Sequence, residues 1–121
     1  MVHDLESFAS QQTIDITTTG RRTGRPRRIE IWWFLVDGRL VITGTPGRRD
    51  WIANLRADPR VTVHLRDRDL AATAAVLTDP VFRRKVFTSP QTRWYSTQAE
   101  LDHLVATAPM VEIHLEGQSR S

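Results

Sequence analysis

Two apolar-alternating segments, Ile14/Ile16 and Ile29/Ile31/Trp33/Leu35, flank the stretch Thr17-Thr18-Thr19-Gly20-Arg21-Arg22-Thr23-Gly24-Arg25-Pro26-Arg27-Arg28. A period of two sends successive side chains to opposite faces, so each segment reads as a strand with one buried side. The glycines and the proline between them predict a turn, and the pair reads as a hairpin. This joint restricts the chain to antiparallel neighbours at its start. It also concentrates five arginines in one place. Arginines this close repel one another, and the planar guanidinium fork suits phosphate or carboxylate. The turn is a candidate grip for a phosphorylated ligand; the same residues also read as a solvated basic hairpin.

The remaining pattern extends the hairpin into a mainly β domain. Residues 27–36 alternate and run into Asp37-Gly38, a two-residue hairpin signature, with residues 39–45 as the partner strand. Pro46-Gly47 break that strand. Asp50 caps a helix from Trp51, with Trp51, Ile52 and Leu55 on one face, and Asp58-Pro59 stops it. Residues 60–66 alternate Val61, Val63 and Leu65 against Thr62 and His64. Residues 70–77 fit a strand, although their alanines equally allow a helix. Asp79-Pro80 opens a helix through Phe87, interrupted by Ser89-Pro90. Thr97-Gln98-Ala99-Glu100 reads as a capping box for a helix over 98–106, and residues 110–115 form a last strand. Residues 2–10 read as a short amphipathic helix and residues 117–121 as a disordered tail. About six antiparallel strands with short helices at the ends predict one small β-barrel domain over residues 1–121.

A chain of 121 residues, 40% hydrophobic, can bury one core. No apolar run is long enough to cross a bilayer as a helix. Met1-Val2-His3-Asp4-Leu5-Glu6 lacks the basic and apolar regions of a signal peptide, which predicts a cytoplasmic protein. With no cysteine, disulfides, thiolate metal sites and cysteine nucleophiles are excluded. The net charge of +3, carried almost wholly by arginine, favours an anionic partner: a phosphorylated cofactor, nucleic acid or an anionic surface.

Little acid–base or nucleophilic machinery is visible. His3, His64, His103 and His114 lack metal-ligand spacing, so no metal site is predicted. Gly-x-Ser-x-Gly, Walker and Gly-x-Gly-x-x-Gly motifs do not occur. Such a domain catalyses reactions when a bound cofactor carries the chemistry. The run Trp32-Trp33-Phe34 must point to both faces of its strand. One face fills a core; the other requires the chain's own helices, a ligand or a second subunit. The small residues Thr43-Gly44-Thr45-Pro46-Gly47 allow a ligand to approach the main chain. Trp94 and Tyr95 lie in a Ser/Pro/Gln-rich segment that reads either as a substrate lid or as a loop anchored to the core.

Thr18-Thr19-Gly20-Arg21-Arg22-Thr23-Gly24-x-Pro26-Arg27 resembles the Thr-Gly-Arg-Lys-Ser/Thr-Gly-x-x-Arg motif of the deazaflavin-dependent nitroreductase-like proteins. These belong to the flavin/deazaflavin oxidoreductase superfamily, with its split β-barrel. Trp51-Ile52-Ala53-Asn54-Leu55-Arg56-Ala57-Asp58-Pro59-Arg60-Val61 is similar to that family's Trp-Tyr-x-Asn-Leu-x-Ala-x-Pro-x-Val segment. The likeness covers about residues 13–66. It implies reduced deazaflavin F420 as hydride donor to a quinone, nitro compound or enone, with FMN as the alternative cofactor or, failing turnover, a ligand binder. It implies that Arg21, Arg22 and Arg27 grip the cofactor phosphate and that Thr43, Gly44 and Thr45 approach its ring. Trp51 and Asn54 would line or brace the cofactor side, and Tyr95 or nearby arginines would stabilise charge on the acceptor. A homodimer is implied. Arg22 stands where Lys is common, Ile52 where Tyr is usual, and the Thr45–Asp50 loop is shorter than in many relatives. A nucleic-acid-binding barrel is disfavoured, because the aromatic residues are not interleaved with arginines as stacking platforms.

Overall fold

The computed structural model describes residues 13–44, 50–65 and 68–116. Six strands, β1 (Thr13–Thr19), β2 (Pro26–Val36), β3 (Arg39–Thr43), β4 (Arg60–His64), β5 (Asp69–Val76) and β6 (Met110–Leu115), close into an antiparallel barrel in the order β1-β2-β3-β6-β5-β4. β4 returns to β1 through Ile16↔Val63 and shuts the ring. The helices are α1 (Asp50–Ala57), α2 (Pro80–Thr88), α3 (Arg93–Ser96) and α4 (Leu101–Thr107), with a 3₁₀ turn at Pro90–Thr92.

The alternation explains two cores. Inward residues Ile14, Ile16, Trp33, Ile42, Val63 and Ile113 fill the barrel, and α1 adds Trp51, Ile52 and Leu55 to the same cluster. Outward residues Phe34, Val36 and Val41 are buried instead under α2, α3 and α4, through Phe82, Val86, Tyr95 and Leu104. The chain's own helices therefore cover the second face at Phe34. Trp32, on that same outer face, stays 43% exposed.

Local signals account for most boundaries. Asp37 (φ 54°) and Gly38 (φ 75°) both take the left-handed conformation that a tight hairpin turn requires. The Asp79 side chain accepts from the Val81 amide and caps α2, with Pro80 in its first turn. β5 is a strand despite its alanines, because β4 and β6 pair with its two edges. β3 stops at Thr43 and β4 at His64, each two residues short of expectation.

Two expectations need correction. Thr97 does not cap the next helix: its Oγ1 donates back to the Trp94 carbonyl at 2.6 Å, closing α3. α4 starts at Leu101 with Glu100 at its N-cap. Trp94 and Tyr95 sit in α3 rather than in a loop. The expected helix over 2–10, Thr45 and the tail 117–121 lie outside the described residues.

Candidate functional site

The β1–β2 turn is a compact structure. Thr19↔Pro26 is its last cross-strand pair. The Gly20 amide donates to the Arg25 carbonyl and the Gly24 amide to the Gly20 carbonyl, each at 2.8 Å. Gly24 has φ +72°, and a Cβ on Gly20 would stand 3.0 Å from Thr23 Oγ1. Both glycines of the motif thus serve turn geometry.

The five arginines of this hairpin divide into two groups. Arg21 is held: its main-chain amide (3.1 Å) and Nη1 (3.0 Å) both donate to Asn54 Oδ1, and Nη2 reaches Asp50 Oδ1 at 3.4 Å. Arg28 pairs with Asp15 at 2.9 Å. The guanidinium groups of Arg22, Arg25 and Arg27 are exposed and have no hydrogen bond or ion pair among the described residues. Three cations on one turn, without a partner among the described residues, suit a phosphate. Arg25 was not singled out by the sequence; its place inside the same turn was the available signal.

Asn54 is 4% exposed, and its Nδ2 donates to Thr18 Oγ1 at 3.3 Å. Asp50 and Asn54 are one helical turn apart and face the hairpin together. Trp51, on the next stripe of α1, is directed into the core and the cleft beside it. The two motifs of the sequence therefore meet through Asn54 and Arg21.

That cleft has a volume of about 600 Å³ and is lined by Ile29, Glu30, Ile31, Trp32, Trp51 and Trp94, together with Thr43, Gly44 and Tyr95. It follows a split in the barrel. The β2–β3 ladder begins only at Trp33↔Ile42, so the stretch 26–32 of β2 pairs with β1 alone among the described strands. A flat ring fits against such an aromatic-walled strand edge. Thr43 is buried, and its hydroxyl donates to the Pro109 carbonyl at 2.6 Å, so its main chain is what it offers the cleft.

Tyr95 anchors α3. Its ring meets Phe34 and Phe87 edge-on at 6.0 and 5.9 Å. Its hydroxyl lies 3.4 Å from the Thr43 carbonyl oxygen. Burial raises its pKa above the ordinary phenol value, so the group remains a hydrogen-bond donor. At the cleft mouth, Trp32 and Trp94 face each other with ring centroids 6.3 Å apart, and Trp94 is 51% exposed.

Among the described residues, no buried side-chain nitrogen or oxygen lacks a hydrogen-bond partner. His64 accepts or donates at both ring nitrogens, to Thr17 Oγ1 (2.6 Å) and Asp69 Oδ1 (2.8 Å), a hydrogen-bonded structural histidine. Among the described residues, no group of three or more His, Asp or Glu side chains is placed to hold a metal. A larger cleft of about 800 Å³ lies between α1 and α4. Its buried Arg83 is engaged by three carbonyls and Arg84 by Asp102 at 2.6 Å, which leaves Arg56 as its one arginine without a partner among the described residues, against three in the hairpin.

Comparison with solved structures places the fold. A conserved hypothetical protein from Mycobacterium tuberculosis is similar with TM-score 0.72 and 21% identity, over 96% of this chain and 82% of that one. An F420-H2 dependent reductase (FDR-A) is similar with TM-score 0.63 and 21% identity, over 86% of this chain and 95% of that one. The haem storage protein HutZ from Vibrio cholerae shares the architecture at TM-score 0.66 and 14% identity, over 95% and 89% of the two chains. The barrel alone is thus common to proteins with different ligands. What narrows the choice is the sequence match of residues 4–115, which contains both the arginine hairpin and the Asn54 helix: the chain belongs to the F420H(2)-dependent quinone reductase family.

Proposed function

We propose that this oxidoreductase passes hydride from reduced F420 to a quinone bound at the aromatic cleft. The observation that carries this reading is the adjacency of a hairpin whose Arg22, Arg25 and Arg27 guanidinium groups have no partner among the described residues and an aromatic-walled split, joined by one helix. A cofactor with an anion at one end and a flat ring at the other matches both. When bound, the reduced deazaflavin supplies the hydride.

The chain's own residues supply the rest. Arg22, Arg25 and Arg27 take the phosphate. Trp51 and Ile31 wall the ring, and the main chain at Thr43 and Gly44 approaches its edge. Trp32 and Trp94 exclude water from the mouth. The Tyr95 hydroxyl, held only by a long bond to Thr43, turns to donate to the acceptor oxygen as negative charge develops there. Nitro compounds and enones develop similar charge and are accepted by the same geometry. The protein works in the cytoplasm as a homodimer, in which a second copy covers the half-exposed Trp32–Trp94 rim. One solved relative, at TM-score 0.63 and 20% identity, is described as a domain-swapped dimer, which supports pairing.

The test is a parallel titration of F420 and FMN by fluorescence quenching, followed by anaerobic turnover with a naphthoquinone. Tight F420 binding with quinone-dependent oxidation is expected. Preference for FMN, or binding without turnover of any acceptor, overturns the reading.

A further inference from the structure

Arg21 lies in the phosphate-binding motif, yet its donors are already committed to α1. Both its amide and Nη1 converge on one oxygen, Asn54 Oδ1. Asn54 is buried, and it spends its other end on Thr18, which sits across from Arg27 in the hairpin ladder. One amide side chain therefore fixes the start of the turn on the β1 side and the strand partner of Arg27. It does so from the helix that carries Trp51 into the ring cleft. A loop alone would leave Arg22, Arg25 and Arg27 free to spread apart, since like charges repel.

We propose that Asn54 is a positioning residue rather than a ligand contact. It clamps Arg21 so that the three unpaired arginines are preorganised for the cofactor's anion, and it ties that grip to the ring cleft. This rests on the hairpin's role as the phosphate grip in the function proposed above. Preorganisation acts through the cost of ordering the site, so its loss should weaken only ligands that carry the anion.

The experiment measures binding of two probes to the full-length protein: F420, and 5-deazariboflavin, which has the ring without the phosphate. Asn54→Ala is expected to weaken F420 binding about tenfold, the size of one or two lost hydrogen bonds, and to leave 5-deazariboflavin within about twofold. Arg21→Ala should do the same, and the double variant should be no worse than either single one. Asn54→Asp keeps the acceptor oxygen for Arg21 and should retain most F420 affinity, which guards against a variant that fails to fold. Equal weakening of both probes, multiplying losses in the double variant, or no rescue by Asn54→Asp overturns the proposal while the phosphate grip stands. Wild-type protein that binds both probes equally overturns the grip itself, and this proposal with it.

Discussion

The guanidinium of Arg83 reaches the Val105 carbonyl at 2.6 Å, and its other arms donate to Leu77 and Ala108. A side chain of α2 thereby satisfies carbonyls at the end of α4 and before α2, and locks the helical layer over Phe34. Burial lowers its pKa, and the carbonyl oxygens compensate the charge without a carboxylate. Arg83→Ala removes three buried acceptors' partner at once. It should cost about 2–4 kcal/mol of stability, and Arg83→Lys should recover only part of it. Urea denaturation of the three proteins checks this.

Tyr95 gives a pH prediction. Its folded pKa is raised by burial, so the unfolded chain releases the phenolic proton first. Stability is then fully present below the ordinary phenol pKa and falls as pH rises through the folded value. Melting temperatures between about pH 9 and 11 should decline in the wild type and decline less in Tyr95→Phe. At neutral pH that variant should lose less than about 1 kcal/mol, because the hydroxyl bond is long. Its turnover with a naphthoquinone should nonetheless drop while F420 affinity is kept; an unchanged kcat removes Tyr95 from the acceptor site.

The free arginines predict a charge-dependent loss. Arg22→Ala, Arg25→Ala and Arg27→Ala should each weaken F420 binding by about 1–3 kcal/mol, with the deficit shrinking at high salt as the wild type itself weakens. Titrations at two salt concentrations decide it. Unchanged affinity in all three variants returns the hairpin to a solvated surface.

Trp94→Ala tests the cleft mouth. The ring is half exposed, and it touches Tyr95 edge-on at 5.1 Å as well as Trp32. Losing both aromatic contacts, each worth about 0.5–1.5 kcal/mol, opens the mouth and should raise KM for a naphthoquinone about tenfold, with little change in F420 affinity. Size-exclusion chromatography of the same variant reports whether the rim also joins two copies.

Much of the barrel was legible because one physical rule, period-two burial, governs Ile14/Ile16, Val61/Val63 and Ile29 to Trp33 alike, until the helices also bury the outer face at Phe34. Where two elements compete for the same residues, the rule fails. The Thr97–Glu100 pattern looks like a helix start, but Thr97 is already spent on the Trp94 carbonyl of the preceding turn. Alanine-rich β5 became a strand only through its two neighbours. In the site, the arginine turn was legible as local composition. The division of its arginines was not, because Asn54 lies 33 residues from Arg21 and a bond between them is a property of the closed fold.

The strand order has a consequence for how such a chain can change over time. The hairpin, the cleft edge of β2, β3 and the Asn54 helix are consecutive, whereas the β3–β6 contact Arg39–Glu112 spans 73 residues. The distal half contributes mainly volume and the three strands β4, β5 and β6, together with Tyr95 and Trp94. Many apolar combinations meet a volume requirement, while few side chains can replace an arginine or a bridging amide. The proximal half is therefore the less replaceable part of this chain. The later helices are the place where related proteins can diverge, reshaping what enters the cleft without disturbing the grip beside it.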